Sequence, residues 1–369
     1  MKRALILRGD NLGDAVLFSG ALKHFRRIYP NYHITLAVKK AVMPLFSRCP
    51  YIDDLIAYER LSYPKLHPAT RRTLIDGVLH RLANIGEVLG KEGARLLRLV
   101  FGVQYDVLIC PVRSVTPDLL WVVKNCKAQT KIGVSGCNQN YAEYDELIAR
   151  AHFTQLVTIS AEDAWEHELI TNMKFINELG AHVSALEDVW PEVWLADRRQ
   201  NCYASEKELF VPNEFVCLAP FSTSPVKEVQ PDVLVRTIPR LFRDVVIVGS
   251  DRERSRVTPV ILALREAGFG CLDLVGKTSI ESLVQIVRRS NCLVSVDNFV
   301  LHIGIALRVQ TRGIVGGGHW GRFHPWGDPE RNIVLNCVMD CFYCNWHCKY
   351  GDYRCVSNLQ ESLVSALYK

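Results

Sequence analysis

The sequence of 369 residues lacks any apolar run long enough to cross a membrane. None of its stretches approaches the roughly 18 consecutive apolar residues that a membrane-spanning helix needs. The apolar run near the N-terminus, residues 4–7, ends at Arg8 and is too short for a secretory signal. We therefore expect a cytoplasmic protein in a reducing compartment.

The sequence is also poor in the features of nucleic-acid-binding proteins. The net charge is only +5, and no dense stripe of Lys and Arg with interleaved aromatic residues occurs. The paired C-x2-C…C-x2-C spacing of a zinc ribbon is absent as well. A zinc-ribbon nucleic-acid binder is therefore disfavoured, and the mild positive charge fits a small anionic substrate or a lipid surface.

Cysteine, by contrast, is abundant, and four of the 13 cysteines follow a C-x2-C-x3-C-x6-C spacing. These four are Cys341, Cys344, Cys348 and Cys355. Four thiolates within tetrahedral reach suit Zn²⁺ or a single iron, and a disulfide pair is the alternative that a reducing compartment disfavours. Cys337 is a substitute ligand candidate. Because four protein ligands leave no open coordination position, we expect a structural metal site rather than a catalytic one.

Strand-like apolar runs alternate with helical patterns along the chain, which predicts an α/β protein with parallel sheets flanked by helices. The first series of strands is predicted at residues 4–7, 34–38, 107–110 and 131–134, with helices over 14–27 and 164–179. The second series is predicted at residues 215–218, 245–248, 272–274, 292–296 and 311–315, with a helix over 279–288. A polar stretch over 189–213 resembles a linker. We therefore predict two Rossmann-like domains facing a cleft, over residues 1–190 and 191–369, with a small cysteine knot over 337–355.

Residues 64–102 interrupt this alternation with a basic segment. Its apolar residues recur at helical spacing. One interpretation is an amphipathic element that contacts anionic lipid, which would bring the protein to the inner membrane as a peripheral protein. The other, which we favour slightly, is a helical insertion packed on the first sheet.

The loop after the first predicted strand is the first candidate for chemistry. Gly9 and Gly13 permit a tight turn and a close approach of backbone to a ligand. Asp14 follows at the start of the next helix, where it is either a simple N-cap or a functional acid. The loop is not a dinucleotide fingerprint, because G-x-G-x-x-G is absent.

In the second half, three loops that follow strands form a matching set of candidates. Asp297 ends a strand just before a helix N-terminus, which is suited to bind phosphate through free N–H groups. Lys227 follows a hydroxyl-rich loop, and Gly249 and Glu253 lie in another loop that follows a strand. One acid in the first half facing these loops and a lysine describes the site of a nucleotide-sugar transferase.

Three segments of this sequence resemble glycosyltransferase family 9, the heptosyltransferase-like family with the GT-B fold. The opening segment LILRGDNLGDAVLFSGALKHFRRIYP resembles that family's first strand, loop and helix. The segment WEHELITNMKFINELG resembles the helix that ends its N-terminal domain. The segment VGKTSIESLVQIVRRSNCLVSVDNFVLHIGIAL resembles its donor-site block. The resemblance extends over residues 1–327, with a gap over the basic insertion.

The resemblance implies an inverting transfer of a sugar, such as heptose from ADP-heptose, without a catalytic metal. Asp14 matches the family's catalytic base, which takes the proton from the acceptor hydroxyl. Lys227 matches the lysine that neutralises the leaving diphosphate. The implied residues of the donor site are Gly13, Lys227, Gly249, Glu253, Thr278, Asp297, Asn298, Phe299 and His302, with the backbone N–H groups of Asn298 and Phe299 holding phosphate.

The sequence departs from the family's pattern in two places. Asn298 and Phe299 stand where the family has Thr-Gly. The ending GGGHWGRFHPWGD and the cysteine motif are typical of a divergent branch, since a four-cysteine metal site is a feature of the family's protein-glycosylating relatives. In that ending, His319, Arg322 and His324, together with Asn11 of the first loop, are candidates for the acceptor or phosphate side. The alternative is that Trp320, Phe323 and Trp326 pack the knot against the domain, with the histidines as mere neighbours.

The expected partners are a nucleotide diphosphate sugar and a glycan or glycolipid acceptor of the bacterial surface, such as lipopolysaccharide. A protein hydroxyl is the alternative acceptor. A non-transferase relative, for example an epimerase or a binding module that kept the nucleotide site, is the alternative function. The sequence leaves open a homo-oligomer.

Overall fold

The computed structural model describes residues 1–57, 98–113, 115–136, 151–159, 165–194 and 211–359. These residues form two compact units. The first unit contains Met1–Asn11, Leu22–Ala164 and Lys174–Val183, and the second contains Leu12–Ala21, Trp165–Met173 and Ser184–Lys369. Each unit holds one parallel sheet.

The sheet of the first unit has six parallel strands. They are β1 Lys2–Arg8, β2 Tyr32–Val38, β3 Asp54–Ala57, β4 Gln104–Ile109, β5 Lys127–Gly136 and β6 Gln155–Ile159. Their order is β3-β2-β1-β4-β5-β6, with Ala4 of β1 paired to Ile34 of β2 and Val107 of β4. This order reverses between β1 and β4, as in a doubly wound sheet.

The sheet of the second unit repeats the same topology. Its strands are β7 Val216–Ala219, β8 Asp244–Ile247, β9 Gly270–Asp273, β10 Cys292–Val296, β11 Thr311–Ile314 and β12 Asn332–Leu335. Their order is β12-β11-β10-β7-β8-β9, and Leu218 of β7 pairs with Val294 of β10. The order therefore reverses between β7 and β10.

Helices connect the strands of both sheets. The α-helices of the described residues are α1 Leu12–Ser19, α2 Leu22–Ile28, α3 Met43–Phe46, α4 Pro117–Asn125, α5 Glu168–Glu178, α6 Pro231–Thr237, α7 Val257–Glu266, α8 Ile280–Arg289, α9 Phe299–Ala306 and α10 Arg354–Ser357. Short 3₁₀ segments lie at Lys40–Val42, Leu186–Val189, Pro225–Lys227 and Asp251–Arg256. None of the helices in the described part of the chain is long and apolar enough to cross a bilayer.

The strands are apolar because helices cover them. All five residues of β10 are buried, as are all four of β7, which is the pattern of strands covered on both faces. In the first unit, Leu99 and Val100 pack in the core with Leu119 of α4. They lie at the end of the basic insertion, whose residues 64–97 fall outside the described part of the chain.

The prediction of two parallel α/β layers is confirmed by the two sheets. The predicted strand over 292–296 matches β10 in full, while β5 is longer than the predicted 131–134. Three strands were missed: β3, β6 and β12. Each lies at an edge of its sheet, where a strand is covered less completely and its sequence carries a weaker apolar pattern. The division at residue 190 stays a prediction.

The first predicted helix, over 14–27, is wrong as one element. The chain forms α1 and α2, with a break at Gly20 and Ala21. A Cβ on Gly20 would lie 2.2 Å from the carbonyl oxygen of Val189, so glycine is required for this close approach. The predicted helix over 164–179 begins only at Glu168 and ends before Gly180, whose φ of +96° is the left-handed conformation typical of a glycine after a helix C-terminus.

Candidate active site

The candidate site of the second unit lies where its strand order reverses. β7 and β10 are neighbours, and the loops that follow them carry Ser222 and Asp297. The hydroxyl of Ser222 donates a hydrogen bond to the carbonyl oxygen of Asp297, at 3.4 Å. Ligands of doubly wound sheets bind at the carboxyl ends of the strands beside such a reversal. The loops after β7 and β10 therefore occupy the position at which this fold binds its ligands.

Lys227 and Asp297 form a buried ion pair in these loops. The Lys227 Nζ lies 2.8 Å from Asp297 Oδ2, and the two side chains are 16% and 7% exposed. Burial alone would raise the pKa of Asp297, but the Lys227 ammonium, with a smaller contribution from His324, holds that pKa at about 2. Asp297 is thus ionised at neutral pH and fixes the position of the ammonium group.

Asn298 caps helix α9. Its Oδ1 accepts hydrogen bonds from the backbone N–H groups of Val300, at 2.8 Å, and Leu301, at 3.2 Å. Its Nδ2 donates to the carbonyl oxygens of Phe221, at 2.8 Å, and Ala219, at 3.3 Å. The side chain therefore binds the β7 loop to the helix N-terminus and occupies two of the N–H groups that such a terminus presents.

His302 lies one turn into α9 and is almost fully buried. Its Nδ1 accepts a hydrogen bond from the indole N–H of Trp326, at 3.1 Å. Burial, with the neighbouring His324 ring, lowers the pKa of His302 well below its ordinary value. The imidazole is therefore neutral at neutral pH.

His324 stacks on His302, with ring centroids 4.5 Å apart and planes 7° apart. Its Nε2 lies 3.8 Å from Asp297 Oδ1, yet burial lowers its pKa to about 4, so the contact is not an ion pair at neutral pH. Both ring nitrogens are buried without a hydrogen-bond partner among the described residues. An unsatisfied buried group of this kind is unusual and is typical of functional sites.

Asp297, His302 and His324 offer ligand atoms within 4.8 Å of one another, which is within reach of a common metal ion. However, the Lys227 ammonium lies 2.8 Å from the same carboxylate and already neutralises it. A divalent cation would face an adjacent positive charge, which is unfavourable. The cluster is better described as a lysine–aspartate pair flanked by neutral histidines.

Helix α1 belongs to the second unit and packs against α9. A Cβ on Gly13 would lie 3.3 Å from the Cδ2 of His302 and 3.9 Å from the Cα of Phe299. Asp14, the next residue, is half-buried in the first turn of α1, which begins at Leu12. This position does not fit the simple N-cap interpretation, and it brings the backbone beside Asp14 against the His302 ring.

Gly249 and Glu253 lie beside the same loops. Glu253 Oε2 accepts a hydrogen bond from the Ser250 backbone N–H at 2.6 Å, as part of a capping box. A Cβ on Gly249 would lie 3.0 Å from both Glu253 and the Phe221 ring. Thr278 is half-buried in the loop between β9 and α8. Glu253 thus has a local structural partner. Gly249 and Glu253 follow β8 and Thr278 follows β9, on the β7 side of the point where the strand order reverses.

The residues predicted for the acceptor or phosphate side have separate partners. His319 Nε2 pairs with Asn345 Oδ1 at 2.7 Å, and burial lowers its pKa. Arg322 Nε lies 3.7 Å from Glu168 Oε2, with both side chains largely buried. Asn11 lies in the first unit, where its Oδ1 accepts a hydrogen bond from Lys39 at 2.9 Å.

The cysteine segment packs directly on the candidate site. The Tyr343 backbone N–H donates to the Gly317 carbonyl oxygen, at 2.8 Å, and that of Asn345 donates to Gly318, at 2.9 Å. The Lys227 Nζ lies 5.0 Å from the centroid of the Trp346 ring. The segment therefore contacts the residue that pairs with Asp297.

The four cysteines are neighbours in space. Cys355 interacts electrostatically with Cys341, Cys344 and Cys348. Burial opposes ionisation of Cys348, but backbone N–H groups of the 350–353 loop outweigh it and lower its pKa. Such N–H donors stabilise a thiolate, the form that binds metal. The sulfur atoms are nevertheless spaced more widely than the Asp297 group, which is the one set of three or more ligand atoms within 4.8 Å among the described residues.

The alternative interpretation is that Trp320, Phe323 and Trp326 pack the knot against the domain. It is correct for Trp320 and wrong for Trp326. Trp320 packs against Phe342 of the knot, with ring centroids 5.4 Å apart. Trp326 instead contacts His302 and Trp190. Sequence reasoning missed the bond from Trp326 to His302 and the contact of Trp346 with Lys227. No local pattern signals either, since both depend on loops that meet only in the folded chain.

Comparisons with known proteins find one family model and several solved structures of similar fold. Residues 242–345 match the family model of glycosyltransferase family 9 (heptosyltransferase). A glycosyltransferase of family 9 from Veillonella parvula has a TM-score of 0.64 at 17% identity, covering 99% of this chain and 97% of its own. ADP-heptose LPS heptosyltransferase II of E. coli has a TM-score of 0.62 at 15% identity, covering all of both chains.

A third similar structure contains a metal. The dodecameric iron-containing heptosyltransferase TibC of enterotoxigenic E. coli, in complex with ADP-D-beta-D-heptose, has a TM-score of 0.52 at 10% identity. The match covers all of this chain and 75% of TibC. No curated protein sequence matches the chain.

The family match includes β10, Asp297, Asn298 and His302, while Lys227 and Asp14 lie before its first residue. The fold of the whole chain is that of the solved heptosyltransferases. The resemblance to glycosyltransferase family 9 is therefore confirmed over residues 242–345, and the chain shares its fold with solved heptosyltransferases.

Proposed function

We propose that the protein is an inverting transferase that moves a heptose from ADP-heptose to a hydroxyl of a bacterial surface glycan. The observation that carries the proposal is the Lys227–Asp297 pair at the start of α9, inside the reversal of the second sheet. ADP-D-beta-D-heptose is the ligand of the structurally similar TibC. Lipopolysaccharide intermediates are the proposed acceptors, as for the E. coli enzyme of similar fold.

The electrostatics of the site support an anionic donor. At neutral pH, Asp297 is ionised and paired to Lys227, while His302 and His324 are neutral. The ammonium has three donors and uses one of them toward Asp297. We propose that its remaining donors bind the diphosphate, so that Asp297 fixes Lys227 without competing for the phosphate oxygens.

In the proposed reaction, the acceptor oxygen attacks the anomeric carbon as the bond from that carbon to the diphosphate oxygen breaks. Asp14 takes the proton of the acceptor hydroxyl, which requires hydrogen-bond reach in the complex with substrates. The bonding electrons leave with the nucleoside diphosphate, whose growing negative charge the Lys227 ammonium stabilises. The configuration at the anomeric carbon inverts, because attack and departure occur on opposite faces.

We propose that Cys341, Cys344, Cys348 and Cys355 hold a structural iron or zinc ion. The closeness of the four thiols and the N–H groups directed at Cys348 support a metal-binding role. The iron-containing TibC is a structural relative, which favours iron over zinc. The ion would cross-link the segment that contacts Lys227 and supply no step of the transfer.

The first experiment is a thermal-shift panel of ADP-heptose and other nucleotide sugars, followed by product analysis with wild type, Asp14→Asn and Lys227→Ala. Ligand binding raises the melting temperature by mass action. We expect ADP-heptose to give the largest shift, Asp14→Asn to keep that shift but lose transfer, and Lys227→Ala to lose both. A wild type that is stabilised by no nucleotide sugar would refute the proposal and favour the non-transferase relative.

A protein hydroxyl is the second candidate acceptor. The observation that favours it is the four-cysteine segment, which resembles that of the family's protein-glycosylating members and here packs on the site. Incubation of the enzyme and donor with a lipopolysaccharide core acceptor and, separately, with a bacterial surface protein rich in Ser and Thr distinguishes the two. Mass spectrometry of both acceptors would identify the one that gains a heptose.

A further inference from the structure

Trp326 and His302 make a hydrogen bond whose direction is fixed by chemistry. The Trp326 Nε1 lies 3.1 Å from the His302 Nδ1, and both side chains are at least nine-tenths buried. An indole nitrogen can only donate a hydrogen bond. The His302 Nδ1 must therefore be the acceptor, and in the neutral ring the proton is carried by Nε2.

The Nε2 side of the ring faces the loop that leads to Asp14. A Cβ on Gly13 would lie 3.3 Å from Cδ2 and 3.7 Å from Nε2 of His302. The Trp326 indole occupies Nδ1, on the other side of the ring. A buried ring thus presents one N–H donor toward the backbone of the α1 loop.

We propose that Trp326 is a positioning residue that holds His302 in its Nε2–H tautomer, so that His302 donates a hydrogen bond to an oxygen of the nucleotide diphosphate. This inference rests on the proposed function, because it takes the diphosphate as the ligand of the site. A neutral N–H donor complements the Lys227 ammonium. It recognises a phosphate oxygen without adding a second buried positive charge beside Lys227.

The packing around Trp326 supports a fixed indole. Its ring centroid lies 5.4 Å from that of Trp190 and 6.0 Å from that of His302. Trp190 also donates its indole N–H to α9, but to the Ala306 carbonyl oxygen, at 3.1 Å. The two tryptophans therefore pack against each other, and each donates its indole N–H to a residue of α9. Of the two, it is Trp326 that bonds to the imidazole.

The similarity of Trp190 to Trp326 provides a control for the experiment. Trp326→Phe and Trp190→Phe each remove one indole N–H donated to α9, and only the first releases the His302 Nδ1. Imidazole ¹⁵N NMR of the wild type, with His302 assigned through His302→Gln, is expected to show a neutral Nε2–H ring. We expect Trp326→Phe to give a mixture of tautomers and Trp190→Phe to keep the wild-type signal.

Binding of ADP, followed by calorimetry, gives the second readout. One hydrogen bond to a charged group is worth about 1.5 kcal/mol, which corresponds to a roughly ten-fold loss of ADP affinity in Trp326→Phe. Trp190→Phe should change the affinity by less than about two-fold, since the Trp190 indole N–H bonds to the Ala306 carbonyl oxygen and not to His302. In the His302→Gln background, Trp326→Phe should cause no further loss, because glutamine has no tautomer to fix.

The outcomes separate the inference about Trp326 from the proposed function. A His302 ring that keeps its Nε2–H tautomer in Trp326→Phe overturns the inference, as does an unchanged ADP affinity when the tautomer has become mixed. If Trp326→Phe does not fold, the wild-type NMR signal decides, since a proton on Nδ1 would refute the assignment. If no nucleotide diphosphate binds to the wild type, the proposed function fails together with the ligand named here, while the tautomer is still decided by NMR.

Discussion

The ammonium of Lys227 lies 5.0 Å above the ring of Trp346, and Trp346 stands between the second and third cysteines of the motif. A residue of the proposed donor site therefore rests on the cysteine segment. The same ammonium pairs with Asp297, so an aromatic face and a carboxylate fix it from two directions. The cysteine segment therefore lines the candidate site through Trp346.

Replacing Trp346 with Leu should weaken ADP-heptose binding. A cation–π contact contributes about 0.5–2 kcal/mol, so we expect a loss of affinity of about 2- to 30-fold, while Trp346→Phe should retain most of it. Titration calorimetry measures the effect. Trp320→Leu is the control, because Trp320 packs on the knot through Phe342 without a contact to Lys227. An equal loss in the control would mean that the knot acts only through general stability.

Replacing Cys344 with Ser should release the metal and lower the melting temperature. Three remaining thiolates bind Zn²⁺ or iron less tightly, and loss of the cross-link destabilises the segment. Elemental analysis and a thermal melt measure both effects. Cys271→Ser, at a half-buried cysteine outside the motif, should change neither. Full metal content in Cys344→Ser and its loss in Cys337→Ser would move the ligand set to Cys337.

Stability should fall as the pH decreases from about 6.5 to about 4. The unfolded chain binds a proton at His324 near the ordinary histidine pKa of 6.5, whereas the folded chain holds that pKa at about 4. The unfolded state therefore binds more protons in this window, and folding loses on the order of 3 kcal/mol from this residue. Buried His302, with its lowered pKa, acts in the same direction.

Urea denaturation at several pH values tests this dependence. His324→Gln should flatten the loss of stability between pH 6.5 and 4, since glutamine does not titrate. His182→Asn, at an exposed histidine, should follow the wild-type curve. A His324→Gln variant with an unchanged pH dependence would show that other groups control acid unfolding.

Replacing Gly317 with Ala should destabilise the contact between the cysteine segment and the site. A Cβ at Gly317 would lie 2.1 Å from the Phe342 ring, and forcing such overlap costs about 1–3 kcal/mol. Thermal melts of the single variant and of Gly317→Ala with Phe342→Ala measure the effect. The double variant should lose less than the sum of its parts, because the removed ring makes room for the methyl group. Simple additivity would argue against the clash.

Part of this protein is determined by local sequence. The apolar runs of β7, β8 and β10, the helix begun at Ser279 and the cysteine spacing all follow from the chemistry of neighbouring residues. Periodicity and turn chemistry act over a few residues, so two α/β layers and the loops after their strands could be predicted. The edge strands β3 and β12 could not, since packing on one neighbouring strand stabilises them more than their own pattern does.

The candidate site was decided by tertiary structure. Only the folded chain places the Trp326 indole on His302, 24 residues away, and Trp346 on Lys227. Asn298, which replaces the threonine of the family's Thr-Gly, caps α9 and also donates a hydrogen bond to the β7 loop. The sequence supplied the residue types at the ends of the strands. The strand order, by making β7 and β10 neighbours, determined which of them could meet, because contacts between distant residues depend on packing and not on local pattern.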